Sequence, residues 1–65
     1  MGKYFMRGTE VPEPRAAECW FSYAEKHEID ISKAISIWED AATAEGDTSR
    51  RTVGDAGIHI DPAAR

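Results

Sequence analysis

The spacing of hydrophobic residues changes along this chain from strand-like at its start to helical in its middle. A short aromatic-rich run closed by Gly8 predicts a β-strand over residues 3–8. Pro14 suits the first turn of a helix, where its missing N–H is not needed. From there to His27 the apolar residues recur on one side of a helical wheel, which predicts a first helix over 14–27.

A second amphipathic helix is predicted over residues 32–45. Asp30 or Ser32 can accept a hydrogen bond from the free N–H groups of its first turn. Gly46 stands where helices commonly end in a left-handed residue. The apolar face of this helix recurs at helical spacing and comprises Ala34, Ile35, Trp38, Ala41 and Ala42.

The end of the chain has two interpretations. Residues 48–53 and 58–60 flank a stretch with two glycines, which favours a β-hairpin over 48–60. The alternative is a loose polar tail, since chain termini are often poorly ordered. With the hairpin, the element order is β-α-α-β-β and residues 1–65 form a single domain. The predicted fold class is then small α+β: two antiparallel amphipathic helices packed on a short antiparallel sheet that both ends of the chain build.

Cysteine usage and the lack of long apolar runs indicate in which cellular compartment the protein is expected. The lone Cys19 excludes an internal disulfide and favours a reducing environment. The sequence has no run of about 18 apolar residues, and its start lacks an apolar stretch long enough for a signal peptide. We therefore expect a cytoplasmic protein with no membrane contact.

Few residues of this chain could carry catalysis. Cys19, His27 and His59 are the candidates for a nucleophile, a base or a metal ligand. Cys19 and His27 would lie about 12 Å apart along the first helix at 1.5 Å per residue, too far for a hydrogen bond. The chain has no Cys-x-x-Cys or His-x-x-x-His spacing. The sequence therefore predicts a protein that is not an enzyme, with no catalytic residue, no metal site and no cofactor.

Negative charge is concentrated in the helical part of the chain. The formal net charge is −4, and residues 1–45 hold nine acids against five bases. Residues 46–65 hold three of each. Such a field repels phosphate backbones and steers the protein toward basic partners. An acidic helix face can also be an ordinary solvated surface.

The candidate partner-binding surface combines carboxylates with one aromatic ring. On the helical wheel Phe21 projects toward the acidic side of the first helix, where it would act as an anchor inside a charged rim. Packing of this ring against the sheet is the alternative. The predicted surface consists of Glu18, Phe21, Glu25, Glu28, Glu39 and Asp40.

Residues 3–45 resemble the ribbon-helix-helix proteins, which include antitoxins of the plasmid-addiction kind. The plan of that family is a strand, a helix, a loop with a capping residue and a second amphipathic helix, and the best match runs from Ile29 to Ala42. The resemblance implies a DNA-binding homodimer that pairs its strands. It also implies that Lys3, Phe5 and Arg7 face the DNA major groove.

In size, acidity and minimal α+β plan the chain also resembles the small acidic inhibitors of phages and other mobile elements, such as anti-CRISPR proteins. No motif carries this resemblance, so it assigns no residue. It agrees with the negative charge, and it implies a non-enzymatic inhibitor that presents an acidic face to a basic nucleic-acid-binding protein or complex, as DNA mimics do. In this hypothesis the protein does not itself contact nucleic acid. The alternative hypothesis is a ribbon-helix-helix transcriptional repressor or antitoxin. The sequence indicates neither the partner's identity nor the oligomeric state.

Overall fold

The computed structural model of the protein describes residues 2–62 and has a small α+β fold. Three short strands form one antiparallel sheet, and three helices complete the described part of the chain. In chain order the elements are β1 (Lys3–Met6), β2 (Thr9–Val11), α1 (Glu13–Lys26), α2 (Ile31–Ala41), α3 (Asp47–Gly54) and β3 (Ile58–Asp61). The predicted fold class is confirmed, and the sheet is built from both ends of the chain as expected.

The chain that begins with the predicted strand over residues 3–8 forms a β-hairpin of β1 and β2. Arg7 and Gly8 form a two-residue turn with φ angles of 55° and 80°, and Met6 pairs with Thr9 across it. Positive φ at both central positions is the conformation that joins twisted antiparallel strands most closely. The strand predicted over 3–8 therefore ends at Met6, and β2 was not foreseen.

The sheet has one face toward the helices and one open face. Its strand order is β2-β1-β3, with β1 in the middle. Tyr4 is paired with Ile60 and both are buried, whereas Phe5 is paired with His59 on the other face. Side chains alternate across a strand, so Tyr4 and Ile60 complete the core while His59 stays exposed.

The first helix is observed close to its predicted place. It begins at Glu13, with Pro14 in its first turn, and ends at Lys26. Its fully buried residues, Ala16, Trp20 and Ala24, recur every four positions, which puts them on one face of the helix.

The second helix begins one residue before its predicted start and ends earlier than predicted. Asp30 caps it, accepting a hydrogen bond from the Ser32 N–H at 3.0 Å. It ends at Ala41, and Gly46 is instead the buried residue that precedes α3. The chain folds back so tightly there that a Cβ added to Gly46 would collide with the carbonyl of Asp40. The prediction of a helix to residue 45 was therefore wrong.

The predicted hairpin over 48–60 is replaced by a helix and a single strand. Asp47–Gly54 forms α3, and Ile58–Asp61 pairs with β1, which gives the order β-β-α-α-α-β. Val53 is the fully buried residue of α3 and joins the core. The alternative of a loose tail does not hold for residues 47–61, and its last residues, 63–65, lie outside the described part.

The buried side chains form one cluster between the helices and the sheet. The rings of Tyr4 and Trp38 stack with centroids 5.5 Å apart. Trp20 is fully buried, and its indole N–H donates to the carbonyl of Ala34 at 3.0 Å. This bond joins α1 to α2 and satisfies the polar atom of the ring, as burial requires.

Candidate protein-binding groove

A surface groove lies between α1 and the start of α2. It has a volume of about 440 Å³, and we call it the α1–α2 groove. Its lining consists of Glu18, Phe21, Ser22, Ala24, Glu25, Ile29 and Ile31. Three residues of the predicted partner-binding surface are thus brought together here.

Phe21 contributes to both the core and the groove. The ring is half-buried and packs at the margin of the core, with its centroid 6.4 Å from that of Trp38. The remaining surface of the ring lines the α1–α2 groove. The ring therefore packs on a side chain of α2 and not on the sheet, while its role as an anchor for a partner stays a prediction.

The apolar side of the groove continues onto an exposed row of α2. Ile31 is 62% exposed and Ile35 is 43% exposed. Among the described residues, these are the large hydrophobic side chains with the most exposed surface. Residues four apart share one face of a helix. Ile35 therefore lies between Ile31, which lines the groove, and Trp38, which contacts Phe21.

Two carboxylates line the α1 side of the groove. Glu18 and Glu25 are seven residues apart, so they project from the same flank of α1 about 10 Å from each other along its axis. Both are exposed, and Phe21 lies between them. The bases Arg15 and Lys26 lie roughly 60–100° further round the helix at 100° per residue. The flank that faces the groove is therefore negative.

The other predicted residues divide between two places. Glu39 is exposed and follows Ile35 by one helical turn, so it extends the same side of α2. Glu28 is exposed, has a left-handed backbone conformation with a φ of 57°, and precedes Ile29, which lines the groove. Asp40 lies elsewhere, because its carboxylate accepts a hydrogen bond from the Ser49 hydroxyl at 2.7 Å. Asp40 thus joins α2 to α3.

Sequence reasoning missed the isoleucines of this site. Ile35 was assigned to the apolar face of the second helix, yet its exposure of 43% shows that it lies outside the core. Ile29 and Ile31 were not among the residues of the predicted surface. The available signal was the width of the apolar arc on α2, which exceeds what one packed face of a helix needs.

The three residues considered for catalysis contact different neighbours. The Cys19 thiol lies 3.9 Å from the carbonyl oxygen of Ala56. His27 lies against Tyr23 with ring centroids 4.1 Å apart, and His59 lies 5.8 Å from Phe5. Within residues 2–62 no cluster of three or more His, Cys, Asp or Glu side chains has metal-binding geometry.

A larger cavity of about 590 Å³ lies beside the open face of the sheet. Phe5 and His59 line it together with the bases Arg7 and Arg50 and the carboxylate of Asp61. Both signs of charge are present, so this cavity favours neither a polyanion nor a polycation. It holds Phe5 and Arg7, two of the residues that the ribbon-helix-helix resemblance directs toward DNA.

No protein-family model matches this chain, and no match to it was found among curated proteins or solved structures. In the part of the chain that the structure describes, no helix has both the length and the apolar character needed to cross a membrane.

Proposed function

We propose that this protein is a non-enzymatic inhibitor of phage or other mobile-element origin. In this proposal it binds a basic nucleic-acid-binding protein or complex, in the manner of anti-CRISPR proteins that mimic DNA. The α1–α2 groove is the contact surface, and the cytoplasm, where the Cys19 thiol stays reduced, is the compartment.

The observation that carries this proposal is the composition of the groove. Among the described residues that line it, Glu18 and Glu25 are acidic and there is no Lys or Arg. Apolar side chains of Phe21, Ile29 and Ile31 lie beside these carboxylates. Apolar anchors surrounded by polar residues are the usual arrangement of an interaction hot spot.

The physical mechanism is competition for the same cations. Carboxylates held at a fixed spacing on a helix can pair with the Lys and Arg side chains that otherwise neutralise phosphates. Burial of the groove's apolar side chains then adds affinity that is insensitive to salt. Binding should therefore weaken with salt less steeply than the binding of DNA to the same partner.

Charge reversal on the groove side tests this proposal. The variant Glu18→Lys, Glu25→Lys and Glu39→Lys should fold, since all three side chains are exposed, and should lose the partner. The measurement is a pull-down from the source organism with mass spectrometry, followed by competition of the captured protein with duplex DNA. The wild-type protein should retain the partner until duplex DNA releases it. The variant should not retain the partner at all.

A second triple variant provides the matched control. Glu10→Lys, Glu45→Lys and Asp55→Lys change the net charge by the same amount at exposed positions outside the groove. This control should retain the partner. If both triple variants lose it equally, only the total charge matters, and if both retain it, or DNA does not compete, the proposed function is wrong.

The ribbon-helix-helix alternative has less support from the geometry. It expects the first strand to pair with the same strand of a second chain. Here β1 is the central strand and is already paired with β2 on one side and β3 on the other. No observation on the described residues favours DNA binding over the acidic groove.

A further inference from the structure

The α1–α2 groove has features that specify the shape of its partner as well as its charge. Glu18 and Glu25 are separated by about 10 Å along α1, at 1.5 Å per residue. The exposed side chains of Ile31 and Ile35, 62% and 43% exposed, are separated by about 6 Å along α2 by the same rise. The partner must therefore offer cations and apolar groups at these spacings.

The axial spacing of Glu18 and Glu25 equals the repeat of a partner helix, whereas the repeats of an extended segment are shorter or longer. On a helix, residues seven apart return to the same face after about 10 Å. On a strand, residues of one face are separated by about 6.6 Å or about 13 Å, because alternate side chains point away. Two cations on one face of a helix therefore match the spacing of Glu18 and Glu25, whereas two cations on one face of a strand are either too close together or too far apart.

The walls of the groove favour a helix for a second reason. The groove lies between two helices and the loop that joins them, so its walls offer no strand edge. An extended peptide would cover apolar side chains with unpaired backbone N–H and C=O groups, at a considerable cost in free energy. A helix bonds its own backbone and can press an apolar stripe onto Phe21, Ile31 and Ile35.

We propose that the α1–α2 groove binds an amphipathic helix of the partner, with Lys or Arg seven residues apart beside an apolar stripe. This inference rests on the proposed function and adds the form in which the basic partner is recognised. The helix lies along the groove, with its apolar stripe on the isoleucines of α2 and its cations at Glu18 and Glu25.

Synthetic peptides test this form directly with the full chain. The matched peptide is a labelled helix of about 18 residues, long enough to reach significant helicity, with arginines seven apart and leucines on the same face. A mismatched peptide of identical composition places the two arginines on opposite faces, and a third carries a central proline. Fluorescence anisotropy should show the mismatched and proline peptides binding at least tenfold more weakly, the loss expected when hot-spot contacts are removed.

Variants of the protein connect the result to the groove. Ile31→Ser with Ile35→Ser, and Glu18→Gln with Glu25→Gln, should each weaken the matched peptide about tenfold while circular dichroism shows an unchanged fold. The control variant, Glu10→Gln with Glu45→Gln at exposed positions outside the groove, should bind the matched peptide as the wild type does. Equal binding of all three peptides, or binding that the groove variants leave unchanged, would overturn the helix proposal.

The two proposals fail in different experiments. If the native partner depends on Glu18, Glu25 and Glu39 but the peptides show no preference for the helix, the function stands and the helical form of recognition falls. If the charge-reversed protein retains the native partner, the proposed function falls whatever the peptides do.

Discussion

Arg50 ties the end of α2 to the start of α3, so its removal should destabilise the whole fold. Its guanidinium donates to the backbone carbonyls of Ala41 at 3.1 Å and Ala44 at 3.3 Å. It also donates to the carbonyl of Thr43 and to the carboxylate of Asp47. The carbonyls belong to the last turn of α2 and the bend after it, where helical N–H groups run out; of the three, that of Thr43 also accepts the Gly46 N–H. The side chain of Arg50 is only 15% exposed, and Arg50→Ala therefore removes a donor from the carbonyls of Ala41 and Ala44 at once.

We expect Arg50→Ala to lower the free energy of unfolding by about 2–3 kcal/mol. Hydrogen bonds to a charged group contribute about 1.5–3 kcal/mol, and their sum is smaller than additive because water reaches some of the freed carbonyls. Asp47 is 87% exposed and adds little. A chain of 65 residues is stable by roughly 3–10 kcal/mol at 0.05–0.15 kcal/mol per residue. The loss is thus a large fraction of the total, equivalent to a fall in Tm of roughly 10–20 °C.

Urea denaturation followed by circular dichroism measures this loss. Arg51→Ala is the matched control, because this neighbouring arginine is exposed and should change stability by no more than about 0.5 kcal/mol. Arg50→Lys should give an intermediate loss, since an ammonium group lacks the planar set of donors. A loss for Arg50→Ala no larger than that for Arg51→Ala would refute the role assigned to this side chain.

Three further predictions concern the core and the bend after α2. Gly46→Ala should destabilise the protein by more than about 2 kcal/mol by denaturation, because its methyl group meets the carbonyl of Asp40. Trp20→Phe should cost about 1–3 kcal/mol, since it removes the hydrogen bond that joins α1 to α2 and leaves a fully buried site less well filled; a loss below that of Arg51→Ala would contradict this. Burial, with a smaller contribution from a nearby carboxylate, raises the pKa of Tyr4 above its ordinary value of about 10. The unfolded chain loses this proton first, so stability should be complete below about pH 10 and fall above it, a fall that Tyr4→Phe should reduce.

Local signals determined which elements were predictable from the sequence. The start of α2 follows from the Asp30 side chain, which can reach a first-turn N–H without help from the rest of the fold. The extent of α1 follows from apolar residues repeated at helical spacing across 14 residues. The turn at Arg7 and Gly8 gave a weaker signal, because arginine is not a residue that prefers positive φ. The short strand after it was missed for that reason.

The helix α3 depends on contacts that the local sequence does not contain. Thr48 to Val53 includes β-branched residues that suit a strand, and eight residues are too few for a helix to be stable alone. The decisive contacts are those of Arg50 with carbonyls of the α2 end and of Val53 with the core. Tertiary contacts thus overrode a weak local preference.

The candidate site was predictable in part for the same reason. Helical periodicity alone places Glu18, Phe21 and Glu25 on one flank of α1, and the structure brings them into one groove. Which residues of a wide apolar arc remain exposed depends on where the sheet lies. The exposure of Ile31 and Ile35 therefore became visible only with the fold.

The carboxylates that we propose as the contact for a basic partner also limit the ways in which the exposed isoleucines can be covered. An exposed apolar row on a small domain favours self-association, and one such arrangement would bury Ile31 and Ile35 of two copies against each other. Such a pairing, groove to groove, would bring Glu18 and Glu25 of one copy close to the same residues of the other. Repulsion between like charges in a desolvated contact opposes it, whereas a cationic helix meets opposite charge at the same positions. In the proposed function, specificity would then come from rejecting the wrong surface as much as from binding the right one.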